Sequence, residues 1–404
     1  MPSPIRVLAV GSCYPPHHLG GYEIIWAGVT EALRQAGHET RVLTSDYRRP
    51  GVGSENASDD VHRELDWYWR DHAWRSLGPR QCLALERHNA AVFERHVRAF
   101  RPDVVTWWPM GGMSLGLIER ARGLALPSAL FVLDPWLAYG PRHDLWIRNW
   151  ARLGPLAGLA ERLTRLPARV DFSHAGRWVF CSEEMRRQAF CTGLQTSDST
   201  VLKPGVARQF LRATRDHDPP QWGWRLLYIG RVVQQKGIHT AIAALPELPS
   251  QSELLIVGEG DPAYRQSLHD LAARLGVTAR VRFEPPHPRH ELIDLYRAAD
   301  AVLFPVQWSE PWGLVPLEAM AVGRPVIATG RGGSGEYLVD GANARLFGAG
   351  DPRALAGAVR ELASSPELRA QVVRGGYETA ARLSEDEFNR RAVAEVEALA
   401  PARA

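Results

Sequence analysis

Two glutamates with seven residues between them dominate the segment Gln307–Thr329, QWSEPWGLVPLEAMAVGRPVIAT. Glu310 falls in a loop, and Gly313, Leu314 and Val315 stand where a helix should begin. Pro316 follows in the first turn, where a missing N–H costs nothing, and Glu318 lies about one turn inside. The free N–H groups of a helix start make an anion site, and a carboxylate on each side can accept hydrogen bonds from hydroxyls. The combination suits an uncharged polyol joined to a phosphate. Taken singly, Glu310 reads equally well as a solvated loop residue and Glu318 as a partner of the helix dipole.

A second constellation is Tyr228-Ile-Gly-Arg-Val-Val-Gln-Gln-Lys-Gly237. A strand is expected to end at Gly230, with Arg231 and Lys236 in the turn before the next helix. Ligands of open α/β sheets bind at the carboxyl ends of strands, so two cations there can grip a diphosphate; a pair of solvated surface charges is the plainer alternative. The spacing is neither a phosphate-binding Walker loop nor a dinucleotide fingerprint. A third segment, Val10–Glu23, carries Gly20 and Gly21 before a helix. Adjacent glycines let backbone N–H groups approach a ligand, and they serve as readily in an ordinary turn.

These groups need a scaffold, and the chain alternates short apolar runs with amphipathic stretches. Strands are expected at Ile5–Val10, Arg41–Thr44, Asp103–Trp107, Ala129–Leu133, Trp178–Cys181 and Val201–Lys203, with helices such as Glu23–Gln35 and Glu86–Ala99 between them. The polar stretch Ala207–Trp224, with Pro219 and Pro220, reads as a linker. A second series follows: strands Leu226–Gly230, Leu254–Gly258, Arg280–Phe283, Ala301–Phe304 and Pro325–Thr329, and helices Gly237–Leu245, Ala263–Leu275 and His290–Ala298. The pattern implies an α/β protein of two doubly wound parallel-sheet domains, residues 1–206 and 207–384. A charged helical stretch, Glu385–Ala400, is placed in a C-terminal segment, 385–404, that is expected to pack back on the first domain.

The bulk numbers agree with that outline. A chain of 404 residues suits two cores. With 45% hydrophobic and 23% charged residues it is neither disordered nor fibrous. A net charge of +3 gives no ground for a nucleic-acid partner. The four cysteines have no metal or disulfide spacing, which fits a reducing compartment. His17 and His18 read as turn residues, because no third ligand is spaced to join them. The N-terminal apolar run is too short for a signal peptide and no run is long enough to span a membrane, so a cytoplasmic location is expected. Fourteen tryptophans, most in the N-terminal half, suit sugar stacking or core packing alike. The loops from Ser45 to Trp74 carry no legible motif. Residues 146–169 hold Arg148, Arg152, Arg162, Arg165 and Arg169 beside Trp146, Trp150 and several leucines. Such a stretch either lies on an anionic membrane surface, here the inner face, or is a solvated helix face.

On these motifs the chain resembles family 4 of the retaining glycosyltransferases, which have the GT-B fold: two Rossmann-like domains facing each other across a cleft. The likeness rests on Glu310-Pro-Trp-Gly-Leu-Val-Pro-Leu-Glu318, on Gly230–Gly237, on the VGEG at Val257–Gly260 and on GGSGEYLVDG at Gly332–Gly341. It implies transfer of a hexosyl group from a nucleotide-diphosphate sugar, UDP- or GDP-type, to a hydroxyl acceptor, without metal or resident cofactor. Arg231 and Lys236 would bind the diphosphate and steady the leaving group. Glu318 would hold the ribose, Glu310 the donor sugar, and the backbone N–H groups near Gly313, Leu314 and Val315 a phosphate. The turn with Gly258 and Glu259 would lie near the base, and Gly20 and Gly21 would close the site from the other domain. Family members often carry a histidine after the strand that here reads Ala129-Leu-Phe-Val-Leu-Asp-Pro-Trp136. Leu133 or Asp134 stands there instead, and Asp134 either takes over the sugar contact or caps the turn. The resemblance implies a front-face displacement, with the leaving phosphate taking the acceptor proton. Two rivals remain at this level: a sugar-nucleotide 2-epimerase, which shares the architecture, and a sugar-nucleotide-binding protein with impaired catalysis.

Overall fold

Apolar runs bounded by turn residues become the strands, and the amphipathic stretches between them become the covering helices. The computed structural model describes residues 3–49, 51–53, 60–70, 73–213 and 221–401. It divides into two units, residues 1–202 with 389–404, and residues 203–388.

In the first unit the strands are β1 (Arg6–Gly11), β2 (Glu39–Ser45), β3 (Val61–Leu65), β6 (Val104–Trp107), β7 (Ser128–Val132), β8 (Arg177–Phe180) and β9 (Ser199–Val201). They form one parallel sheet in the order β3-β2-β1-β6-β7-β8-β9. The short β4 (Trp69–Arg70) and β5 (Ala73–Trp74) pair as a separate antiparallel ribbon. The second unit holds β10 (Arg225–Ile229), β11 (Glu253–Val257), β12 (Val281–Glu284), β13 (Ala301–Phe304), β14 (Val326–Ala328) and β15 (Arg345–Leu346). These too are parallel, in the order β12-β11-β10-β13-β14-β15. In each sheet the winding reverses once, between β1 and β6 and between β10 and β13. The carboxyl ends of those strand pairs open the crevice where open α/β sheets take ligands.

Sequence periodicity misses β3, the β4–β5 ribbon and β15. β3 is an edge strand, VHREL, whose outward residues His62 and Glu64 are polar, and the others are two residues long. Within the expected linker, Arg208–Arg212 is helical, while residues 214–220 lie outside the described residues. Of residues 146–169, Leu145–Arg152 and Ala157–Thr164 are two short helices broken at Gly154. No helix among the described residues is long and apolar enough to cross a membrane.

Most tryptophans of the first unit belong to the core. Trp26, Trp107, Trp108, Trp136 and Trp178 are fully buried, and Trp108 stacks on Phe131 with ring centroids 4.3 Å apart. The same core buries a polar knot. Glu86 accepts hydrogen bonds from Tyr68 (2.7 Å) and Ser114 (2.8 Å). Asp144 accepts from the backbone of Leu115 and Ile147. Burial first, then the nearby Asp144 charge, pushes the Glu86 carboxyl up to about 8.

In the second unit the connection after β10 passes close to the end of β13. Gly237 sits there at φ +70°, and a Cβ on it would stand 1.9 Å from the Pro305 carbonyl oxygen. Gly341 has the same φ, with nothing within 4 Å of its would-be Cβ. Gly341→Ala is therefore expected to cost ~1 kcal/mol for the left-handed backbone alone, and Gly237→Ala ~3 kcal/mol or more once the clash is added. Urea midpoints of the two variants check this; equal losses would mean that the close approach at Pro305 is not a real constraint.

Candidate active site

The loops that leave β10 and β13 are tied to each other before any ligand is considered. The Gln307 N–H donates to the Gln235 carbonyl at 2.8 Å. Above that tie, the Lys236 ammonium donates to both oxygens of Glu310, at 2.9 and 2.7 Å. The pair is largely withdrawn from water, with side chains 13% and 5% exposed. Trp308 donates its indole N–H to the same carboxylate at 2.6 Å, and the ammonium lies 5.7 Å from the Phe304 and Trp308 ring centroids. Burial holds the Lys236 ammonium below the ordinary lysine range; Glu310 works against that shift and the Arg231 charge adds to it. Arg231 itself is exposed, and its carbonyl accepts from the Tyr228 hydroxyl at 2.8 Å.

The backbone of Glu310 is fixed from the far side. It bridges to Gly332, and its carbonyl accepts from Gly333 N–H at 2.7 Å. The helix Leu314–Ala321 starts directly after Gly313, whose carbonyl accepts from the buried Tyr337 hydroxyl. Burial, followed by the charges of Glu310 and Glu318, keeps that phenol protonated. Leu314 and Val315 are half-buried at the helix start, with first-turn N–H groups that have no intrahelical acceptor. Glu318, 6% exposed, accepts from Arg289 at 3.2 Å and from the Tyr296 hydroxyl at 2.9 Å.

Gly230 and Gly258 meet where β10 and β11 end. A Cβ on Gly258 would stand 2.0 Å from the Gly230 carbonyl oxygen, so no side chain fits between the two turns. The Glu259 carbonyl then accepts from Val232 N–H at 2.8 Å. The second unit thus gathers Gly230, Arg231, Lys236, Gly258, Glu259, Glu310, Gly313, Leu314, Val315 and Glu318 around the carboxyl ends of β10, β11 and β13.

The remaining expected residues belong to the first unit. Gly20 precedes the helix Gly21–Gln35, and its N–H donates to the Glu23 carboxylate at 3.1 Å. Asp134 follows β7, and its carboxylate accepts from the Tyr139 hydroxyl. Motif reasoning overlooks several groups. Arg289 and Tyr296 hold Glu318 from 29 and 22 residues away in sequence, with no periodic signal. It also overlooks an aromatic wall beyond the carboxyl end of β2. Tyr47, Trp67 and Trp69 cluster there with centroids 4.8–6.2 Å apart. Trp74, 41% exposed, stacks on His143 at 3.7 Å, and Trp67 donates to the Gly111 carbonyl at 2.9 Å, just after β6. The signal available was the density of aromatic residues between Tyr47 and Trp74.

With this geometry in hand, known proteins give the arrangement a family. Residues 213–379 match the model of glycosyl transferases group 1, and residues 20–205 that of the glycosyl transferase 4-like domain. Glycogen synthase of Mycobacterium tuberculosis is 29% identical over 397 residues, spanning 92% of this chain and 89% of that one. D-inositol 3-phosphate glycosyltransferase of Frankia alni is 36% identical over 200 residues, 45% of this chain and 48% of that one. Among solved structures, Anabaena Alr3699/HepE in complex with UDP and glucose superposes with a TM-score of 0.71 at 19% identity, over 98% of this chain and 100% of that one. Sucrose-phosphate synthase from Thermosynechococcus elongatus gives 0.73 at 19% identity, over 98% and 99%. The two parallel sheets are those of the GT-B fold, and with one family model on each unit, the chain belongs to family 4 of the glycosyltransferases.

Proposed function

We propose that this glycosyltransferase moves a hexosyl group, with retention of configuration, from a UDP- or GDP-type nucleotide sugar to a hydroxyl acceptor. The observation that carries the reading is the buried Lys236–Glu310 pair set between exposed Arg231 and the start of the helix Leu314–Ala321. An ammonium has three donors, and Glu310 takes two; the third is left for a diphosphate oxygen. Arg231 adds a fork of donors to the same phosphates, and the N–H groups of Leu314 and Val315 a third set. The Glu310 carboxylate offers about four acceptor sites, of which Lys236 and Trp308 use three, leaving one for a sugar hydroxyl. Glu318 has two in use and two for the ribose hydroxyls. Gly258 and Glu259 lie along the base.

In the reaction, the acceptor oxygen bonds to the anomeric carbon on the face from which the diphosphate leaves. The bond from that carbon to the phosphate oxygen breaks, and its electron pair stays on the phosphate. That oxygen takes the acceptor's proton. Arg231, Lys236 and the helix start hold the charge that develops there. The names of two relatives, a glycogen synthase and a D-inositol 3-phosphate glycosyltransferase, support a polyol acceptor.

Residues 146–169 are proposed to rest on the inner face of a membrane. Leu156, just before the helix Ala157–Thr164, and Leu159 and Leu163 within it are 53%, 53% and 74% exposed, and the last two share one face of that helix. Arg152, Arg162, Arg165 and Arg169 beside them are exposed as well, each worth ~1 kcal/mol against an anionic surface.

Three measurements test these readings. Incubation with a panel of radiolabelled UDP- and GDP-hexoses is expected to give donor hydrolysis and, with polyol acceptors, a product whose anomeric NMR signal keeps the donor's configuration. A 2-epimerised donor, an inverted product, or binding without turnover would each overturn the proposal, and Lys236→Ala should lower kcat/KM by roughly 10²–10³-fold. Because Lys236 acts as a cation, donor use should fall as pH rises through its depressed pKa, below the ordinary lysine value of about 10.4. Lys236→Arg should move that alkaline limb upward, since a guanidinium stays charged; superimposable limbs would remove Lys236 from the role. Finally, the protein should sediment with phosphatidylglycerol vesicles at low salt and not with phosphatidylcholine, and replacing Leu156, Leu159 and Leu163 by serine should release it.

A further inference from the structure

The edge strand β3 and the helix Pro79–Phe100 share a side-chain cluster that uses none of the residues given a role above. His62 and Glu64, two apart on β3, point outward together, and the pairing of β2 with β3 skips Glu64, so that it sits at a bulge. From the helix comes His96, whose side chain is 5% exposed. His62 Nδ1 stands 3.2 Å and His96 Nε2 3.3 Å from the same oxygen, Glu64 Oε1, and the three ligand atoms lie within 4.8 Å of one another.

Those separations are long for a charge-assisted imidazole–carboxylate bond, about 2.7–2.9 Å. They match the edge of a tetrahedron of ligands set about 2.05 Å from a central ion, about 3.3 Å. The surrounding charges leave the right atoms open. Arg95 pairs with the other oxygen of Glu64, and Arg41 takes Asp60 Oδ2 at 2.7 Å. Asp60 Oδ1 bonds the far nitrogen of His62, Nε2, at 2.5 Å. A carboxylate that fixes the outer nitrogen of a histidine while the inner one faces the site is the usual support of a metal-bound imidazole.

We infer that His62, Glu64 and His96 bind one divalent transition-metal ion of the zinc type, oriented by Asp60, which clamps β3 to the helix Pro79–Phe100. His62, Glu64 and Asp60 are about one-third exposed, which leaves a path for the ion and for a water as fourth ligand. Sequence spacing hides the set, because 32 residues separate Glu64 from His96. The two nearby guanidiniums oppose an added cation, so affinity in the micromolar range is expected.

The test uses the full chain without a histidine tag, stripped with chelator and titrated with Co²⁺. Uptake of one equivalent, with the intense visible bands of four-coordinate cobalt and displacement by Zn²⁺, is the expected result. His62→Asn should abolish the bands, Asp60→Asn should weaken uptake by ~10–100-fold, and Arg95→Ala, freed of the competing cation, should tighten it. Zn²⁺ should also raise the unfolding midpoint of the unsubstituted protein and not that of His62→Asn. Absence of saturable uptake, or uptake unchanged in His62→Asn, overturns the assignment.

Discussion

Burying a carboxylate as far from water as Glu310 is costly without a partner, and the second unit is arranged around giving it a cation. Removing one partner of such a pair costs about 3–5 kcal/mol, because the other charge is left buried. Lys236 can reach Glu310 only because its turn runs close against the end of β13, where Gly237 has no side chain to hold it off. Glu310 can be reached only because Gly332 and Gly333 pin its backbone. The reversal of strand order between β10 and β13 brings the two loops side by side. Sheet topology, backbone approach and charge pairing are thus one constraint seen at three scales.

The first unit solves the same electrostatic problem differently. Glu86 forms no ion pair among the described residues and accepts from two hydroxyls instead; burial and the Asp144 charge outweigh the opposing Arg120 charge, and the carboxyl, raised to about 8, keeps its proton. Because the folded value lies above the unfolded one, about 4.3, the stability this group contributes is complete in acid and is lost as pH climbs through about 8. The two units therefore respond to alkali at different groups: one surrenders a carboxyl proton, the other an ammonium proton.

How much of this was legible in the sequence follows from where each signal is stored. The inner strands, such as Leu226–Gly230 and Ala301–Phe304, are buried on both faces and read as continuous apolar runs. The turn residues that carry Arg231, Lys236, Glu310 and Glu318 sit at fixed offsets from those runs, so they too could be placed. β3 could not, because an edge strand shows water every second residue, and there the outward positions are His62 and Glu64. Nor could the partners of Glu318. Arg289 and Tyr296 reach it through tertiary packing, and no local pattern encodes a contact 22 or 29 residues away. Tryptophan count was equally mute: Trp107 and Trp108 are core and Trp74 is surface, a difference set by the layer each residue joins.

The helix Glu385–Glu397 opens among residues of the second unit, and from Asn389 onward the chain counts with the first. There Glu397 meets the buried His38 at 3.0 Å and Glu395 meets Arg177 at 2.9 Å. On a ribosome the partners of those glutamates emerge early and the glutamates themselves late, with the whole second unit translated in between. The nascent first unit must therefore wait, with the seat for this helix uncovered, until synthesis has passed residue 389, and its assembly is tied to the completion of its neighbour by the order of translation alone.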